Sequence, residues 1–226
     1  VVISSGNLGE NKGVVIDPQQ DKKFVLPILT SKDIEAAKLG LEENIGHIAA
    51  SFMRDGDSVK YVRKITKGKM KIISKIECKD ALENLDEIIK ESDFLLIDRG
   101  DLSKEIPIEK IPFTQKIILN RSKKYNKGVY VATNLLESMI LNRKPTRAEV
   151  HDIINTIVDG AFGLTLAAET AIGKFPLGCI NMLNKIIKHS DLIINAHEIR
   201  NKEEEFVKAL ENKNYLLDET TSSSLI

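Results

Sequence analysis

Lys71-Ile72-Ile73-Ser74-Lys75-Ile76-Glu77, followed by Asp98-Arg99-Gly100-Asp101, decides how this chain folds. Ile72, Ile73 and Ile76 are β-branched and nearly continuous, the pattern of a strand buried in a parallel sheet. The strand ends on a cation, Lys75, and an anion, Glu77, which a period of two puts on one face. Charges of both signs at a strand end are unusual for a core and usual for a site at the carboxyl end of a barrel strand. About one strand-helix unit later, Phe94-Leu95-Leu96-Ile97 ends in a Gly turn and Asp101. Two carboxylates at adjacent strand ends are what a divalent cation needs, and a lysine beside them suits phosphoryl transfer. Shared ligation requires their oxygens to stand roughly 3–6 Å apart, because hard cations bind oxygen at about 2.0–2.6 Å. The competing readings are a strand-end salt bridge for Lys75 and Glu77, and a plain Gly-Asp turn for Asp101.

Outward from this stretch the pattern alternates. Strands are predicted at His47–Ser51, Met70–Ile76, Phe94–Ile97, Val129–Ala132 and Leu164–Ala167. Helices are predicted at Asp57–Lys67, Ala81–Glu91, Glu109–Tyr125, Arg147–Asp159 and Leu177–His189. Another runs from Ser31 to about Glu43, opened by Thr30 and Asp33 as a capping box. Lys123 to Lys127 reads as a basic helix end, with Gly128 as its stop. Such alternation implies a parallel sheet with covering helices. Residues Val1 to Phe24 are rich in Gly, Asn, Lys and Asp and read as strands and turns without a core of their own.

Composition bounds the function. Lys plus Arg and Asp plus Glu are each 33. That balance argues against a broad nucleic-acid or membrane-surface footprint. No apolar stretch approaches the roughly 20 residues of a membrane span, and no signal peptide is visible. Cys78 and Cys179 show no metal-ligand spacing and read as reduced thiols of a cytoplasmic protein.

Seven short stretches resemble the pyruvate kinase family, in that family's order and spacing. They are Lys71 to Glu77, Arg99-Gly100-Asp101, Ala132-Thr133, Leu136 to Met139, Pro145 to Glu149, Asp159-Gly160-Ala161 and Glu169-Thr170-Ala171. The resemblance runs from about Asn7 to Ile194. It implies a (β/α)₈ TIM-barrel-type catalytic domain, incomplete here at about five strands, with a remnant of a β lid domain. The implied boundaries are 1–27 for the end of the lid and return linker, 28–196 for the partial barrel, and 197–226 for a helix and tail that begin a regulatory domain. The family's first three strands lie before the lid. The chain is therefore expected to be a fragment, or a protein whose barrel something else completes. Free in water, its apolar interior residues, such as Ile73, Leu96 and Val131, are expected to be wet.

The implied activity is transfer of a phosphoryl group from phosphoenolpyruvate to ADP, giving pyruvate and ATP. In that reading Lys75 stabilises the transferring group and the enolate, and Glu77 and Asp101 hold Mg²⁺ or Mn²⁺. Thr133 binds the substrate carboxylate and takes part in catalysis. Arg99, Gly100 and Asp101 line the substrate site. K⁺ is expected for the family, with its ligands in the missing early segment. Homo- or hetero-oligomers with pyruvate kinase-type subunits are expected, and neither nucleic acid nor membrane as a partner. Glu137, Arg147 and Glu149 read as scaffold and subunit contacts.

Four departures from the family pattern support a second reading, a degenerate, non-catalytic subunit that assembles with an active paralogue. Asp98 stands where the family has a small apolar residue. Ala167-Ala168 replaces Ser-Gly, removing a hydroxyl implicated in protonating the enolate. Asn134 replaces Gln. The early barrel segment, with its phosphate-gripping Arg, is missing. In addition, Ser103-Lys104 follows Asp101-Leu102 in place of Gly and an apolar residue.

Overall fold

The computed structural model describes residues 26–198, and of residues 191–198 only the backbone. The segments expected to form a lid remnant (1–27) and a tail (197–226) therefore lie almost wholly outside the described residues. Within them the chain runs α1 (Ser31–Glu42), β1 (His47–Ala50), α2 (Gly56–Ile65), β2 (Lys71–Ile76), α3 (Lys79–Glu83), α4 (Leu85–Glu91) and β3 (Phe94–Asp98). It continues through α5 (Arg99–Leu102), α6 (Ile111–Lys124), β4 (Gly128–Ala132), α7 (Arg147–Val158), β5 (Gly163–Thr165), α8 (Ala168–Ala171) and α9 (Pro176–Glu198). Two short 3₁₀ turns precede α6 and follow β4.

The five strands form one parallel sheet in the order β1-β2-β3-β4-β5. Each strand pairs with its sequence neighbour, and the register aligns Lys75 with Leu96 and Asp98 with Ala132. Sequential parallel pairing with intervening helices is the winding of a (β/α) barrel. Period two then sorts the side chains. Ile72, Ile76, Leu95, Ile97, Val129 and Val131 face the helices and are fully or almost fully buried. Each contributes about 1.5–3 kcal/mol by leaving water. A second cluster, Leu135, Leu136, Met139, Ile153, Cys179, Leu183 and Ile186, joins α7 and α9 to the loop after β4.

The opposite face carries His47, Ile73, Lys75, Phe94, Leu96 and Tyr130. Its amino end is a layer of rings: Phe94 packs against His47, Tyr130 and Phe162 with centroids 6.3, 5.9 and 5.5 Å apart. Two glycines make room for it. A Cβ on Gly128 would lie 2.8 Å from the Phe162 ring, and one on Gly163 would lie 2.7 Å from Tyr130.

Several sequence expectations change. Gly128 is not the helix stop: α6 is capped at Tyr125, and Asn126 takes the left-handed turn at φ 52°. Gly128 opens β4, where the Phe162 ring requires it. The helix expected over Ala81–Glu91 breaks at Asn84, whose φ of −104° and ψ of 22° end α3 and start α4. Val131 is not an interior residue, because the register pairs it with Ile97 and turns it to the helices. Leu96 is nearly buried and Ile73 half-buried. The capping boxes of Thr30 with Asp33 and of Thr146 with Glu149 both form. The Glu149 carboxylate also accepts from the Ser138 amide at 2.7 Å, tying α7 to the loop after β4.

Candidate active site

The carboxyl ends of β2, β3 and β4 bring the charged residues together. Lys75 Nζ lies 2.5 Å from Glu77 Oε1 and 3.3 Å from Asp98 Oδ2. Glu77, Asp98 and Asp101 each offer one carboxylate oxygen, and the three atoms lie within 4.8 Å of one another. The separation of Glu77 and Asp101 is thus the one a shared cation requires.

Glu77 is 1% exposed. Its Oε2 accepts from the Phe52 amide at 2.7 Å. Phe52 presents that amide from a left-handed backbone, φ 51°, a strained setting for a bulky residue. The other oxygen, Oε1, accepts no hydrogen bond. The Lys75 ammonium forms an ion pair with it at 2.5 Å. Burial pushes the Glu77 pKa up; Lys75 and the Phe52 amide oppose this without cancelling it, and the negative Asp98 adds to it. For Lys75, burial works to lower the pKa, but Glu77 and then Asp98 outweigh it and the pKa rises. The ammonium stays charged between two acids.

Asp98 closes β3 and caps α5, accepting from the Asp101 amide at 3.4 Å. An added carboxylate beside two others costs on the order of 4 kcal/mol per like pair at 4 Å and an effective dielectric near 20. Lys75 offsets part of this. So does Lys104, half exposed, whose Nζ lies 2.5 Å from Asp101 Oδ1.

Thr133 follows β4 in a left-handed conformation, φ 68°, and Asn134 repeats it at φ 54°. Two such residues in succession hold the Thr133 hydroxyl over α5, where it accepts from the Gly100 amide at 2.9 Å and donates to the Ala132 carbonyl at 2.6 Å. Arg99 does not face the acids. Its Nη2 donates to the Thr133 carbonyl at 2.7 Å and its Nη1 pairs with Asp152 of α7 at 2.7 Å. The geometry thus gathers Lys75, Glu77, Asp101, Gly100 and Thr133 at one end of the sheet and turns the Arg99 guanidinium toward α7.

Sequence reasoning missed the Phe52 amide, Asp152 and Glu169. Glu169 is buried, and its two oxygens accept from the Leu136 and Ala167 amides at 3.1 and 2.8 Å, tying the end of β5 to the loop after β4. Only its place beside Thr170-Ala171 hinted at a role. Cys78, next to Glu77, stays a neutral thiol because burial pushes its pKa up to about 11. The donors of the cluster are all carboxylate oxygens, and one of them is buried without a hydrogen bond. That set fits a hard cation of the Mg²⁺ or Mn²⁺ kind.

Residues 1–180 match the family described as the pyruvate kinase barrel domain. The chain is 47% identical over 195 residues to a pyruvate kinase of Thermotoga maritima, covering 84% of this chain and 41% of that protein. It is 43% identical over 194 residues to a pyruvate kinase of Methanocaldococcus jannaschii, covering 84% and 43%. Against plastidial pyruvate kinase 2 of Arabidopsis thaliana it is 37% identical over 201 residues, covering 88% and 34%. The chain spans about two fifths of the length of the first two relatives. No helix among the described residues is long and apolar enough to cross a membrane.

Proposed function

The chain belongs to the pyruvate kinase family, and from that premise we propose that it carries the metal and phosphoryl-binding part of a site that moves phosphate from phosphoenolpyruvate to ADP, giving pyruvate and ATP. The observation that carries this reading is the Lys75, Glu77 and Asp101 cluster at the carboxyl ends of adjacent strands. Residues 28–196 would supply the later part of the barrel, with 1–27 the end of the lid and 197–226 the start of a further domain.

In this mechanism Glu77 and Asp101 would hold Mg²⁺ or Mn²⁺, which when bound would supply Lewis-acid polarisation of the phosphoenolpyruvate oxygens. Lys75 supplies a fixed ammonium where negative charge develops on the transferring phosphoryl and on the enolate oxygen. Its elevated pKa keeps it protonated throughout. Thr133, positioned by the left-handed turn and by Gly100, would turn its hydroxyl proton from the Ala132 carbonyl to the substrate carboxylate. Arg99 serves by positioning, since its guanidinium grips the Thr133 carbonyl and anchors that turn to α7.

A second reading, a non-catalytic subunit in a homo- or hetero-oligomer with pyruvate kinase-type chains, draws support from Ala167, which offers no hydroxyl beside the Glu169 motif. The exposed Ile108 and Phe113 at the start of α6 suit such a contact. Coupled turnover with phosphoenolpyruvate, ADP, Mg²⁺ and K⁺ separates the two. With Ala167 in place of the hydroxyl, turnover is expected to be at least about 30-fold slower than in a pyruvate kinase that keeps it, because the lost group removes on the order of 2–4 kcal/mol of transition-state stabilisation. Residual turnover abolished by Lys75→Met supports the catalytic reading. Robust turnover by the chain alone overturns the second reading, and none in any assembly overturns the first.

A further inference from the structure

We propose that Asp98 is a third carboxylate ligand for the divalent cation, so that this chain grips the metal through Glu77, Asp98 and Asp101 together. The inference rests on the active-site reading above and goes beyond it, because the family has a small apolar residue at this position.

Three observations carry it. First, one oxygen from each of the three acids lies within 4.8 Å of the others. A single hard cation with oxygens at about 2.0–2.6 Å spans such a triangle with little movement.

Second, Glu77 Oε1 is buried without a hydrogen bond, while Oε2 is taken by the Phe52 amide. The charged neighbour of the orphaned oxygen at close range is the Lys75 ammonium, which also reaches Asp98. A bound cation is one partner that would satisfy a buried carboxylate oxygen left without a hydrogen bond.

Third, Asp98 is the least committed of the three. Its contacts are long, 3.4 Å to the Asp101 amide and 3.3 Å to Lys75, whereas Glu77 and Asp101 are each held by a lysine at 2.5 Å. Its side chain is only 14% exposed, so water does not serve it freely. Three carboxylates face two ammonium groups here, which leaves the cluster negative. Lys104, half exposed, is free to swing out as the cation takes up Asp101. Ligand charge count is the main lever by which a protein sets its affinity for a hard divalent cation.

The competing role for Asp98 is purely structural, as cap of α5 and counter-ion of Lys75. Asp98→Ser tests this, because serine caps helices about as well as aspartate but is uncharged and too short to ligate. Asp98→Asn is the second variant, keeping both cap and shape. The probe is Mn²⁺, titrated calorimetrically into the full chain, with far-UV circular dichroism to verify folding. Water-proton relaxation of the bound Mn²⁺ is the second readout. The expected result is one Mn²⁺ per chain and a Kd weakened about tenfold or more in both variants. In Asp98→Ser the relaxivity should rise, because water replaces the lost ligand.

Unchanged affinity and relaxivity in both variants, with binding lost in Glu77→Gln, would overturn the role of Asp98 and leave the two-carboxylate site standing. Tighter binding in Asp98→Asn would overturn it as well, making Asp98 a competitor for Lys75. A folded chain that takes up no Mn²⁺ would overturn both this inference and the reading beneath it.

Discussion

The two ends of the same sheet treat a carboxylate in opposite ways. At the amino end, Asp93 stands just before β3 and is 20% exposed. Burial works to raise its pKa, but the Ile72 amide, Arg63 and Lys71 outweigh it and the pKa falls. At the carboxyl end, Glu77 is buried more deeply and has fewer partners, and its pKa rises. One carboxylate is satisfied by the protein; the other is left with an oxygen that accepts no hydrogen bond. The amino end, with its layer of rings, is organised for cohesion. The carboxyl end holds like charges close together.

Removing the cation that pairs with Glu77 and Asp98 is the largest test of this contrast. Lys75→Ala is expected to cost about 2–3 kcal/mol at neutral pH, near the low end for breaking a buried pair because Lys75 is one-fifth exposed. The pH dependence has a definite sign. The Glu77 pKa lies above that of an unfolded glutamate, so the cost of its charge is absent below the ordinary glutamate range and complete above the raised value. The deficit of the variant should shrink as pH falls through that window. Denaturant melts at several pH values measure it. A deficit independent of pH would mean that Glu77 is no more strained than Asp93.

The amino end breaks by packing rather than by charge. Phe94→Ala removes the ring that touches His47, Tyr130 and Phe162. Truncation of a core Phe costs about 3–5 kcal/mol, and Phe94 is half-buried, so a loss of about 2 kcal/mol is expected. The loss should not vary with pH, and Mn²⁺ affinity should stay within twofold of the wild type. A parallel fall in Mn²⁺ affinity would show that the rings position the acids, and the two ends would no longer be separable.

How much of this was legible in the sequence follows the same division. The strands were readable because runs such as Ile72-Ile73 and Leu95-Leu96-Ile97 leave little alternative in a parallel sheet. The nearness of Glu77 and Asp101 was readable because strand ends in a barrel share one rim. Directions set by tertiary contact were not. Val131 and Leu96 are both apolar, and only the register tells which faces the helices. Gly128 looked like a helix stop because nothing local reveals that Phe162 will lie across it. Arg99 looked like a substrate ligand, and nothing local reveals that its guanidinium also meets Asp152, 53 residues away. The strained backbones of Phe52 and Thr133 carry no glycine signal and are held by long-range bonds to Glu77 and Gly100.

The satisfied carboxylate supplies the smallest effect and the opposite sign. Asp93→Asn keeps an oxygen for the Ile72 amide, bonded at 2.9 Å, but removes the charge that faces Arg63 and Lys71. Arg63 is about one-third exposed and Lys71 nearly two-thirds, so solvent screens much of the attraction. A loss of about 1 kcal/mol at neutral pH is expected. The folded pKa of Asp93 lies below its unfolded value, so its contribution is present above the unfolded pKa of about 3.9 and lost as pH falls through the folded one. The stabilities of wild type and Asp93→Asn should therefore converge below about pH 4, whereas Lys75→Ala approaches the wild type as soon as Glu77 takes its proton. A gap between wild type and Asp93→Asn that persists at low pH would place the role of Asp93 in shape rather than charge. The contrast between the two ends would then rest on Glu77 alone.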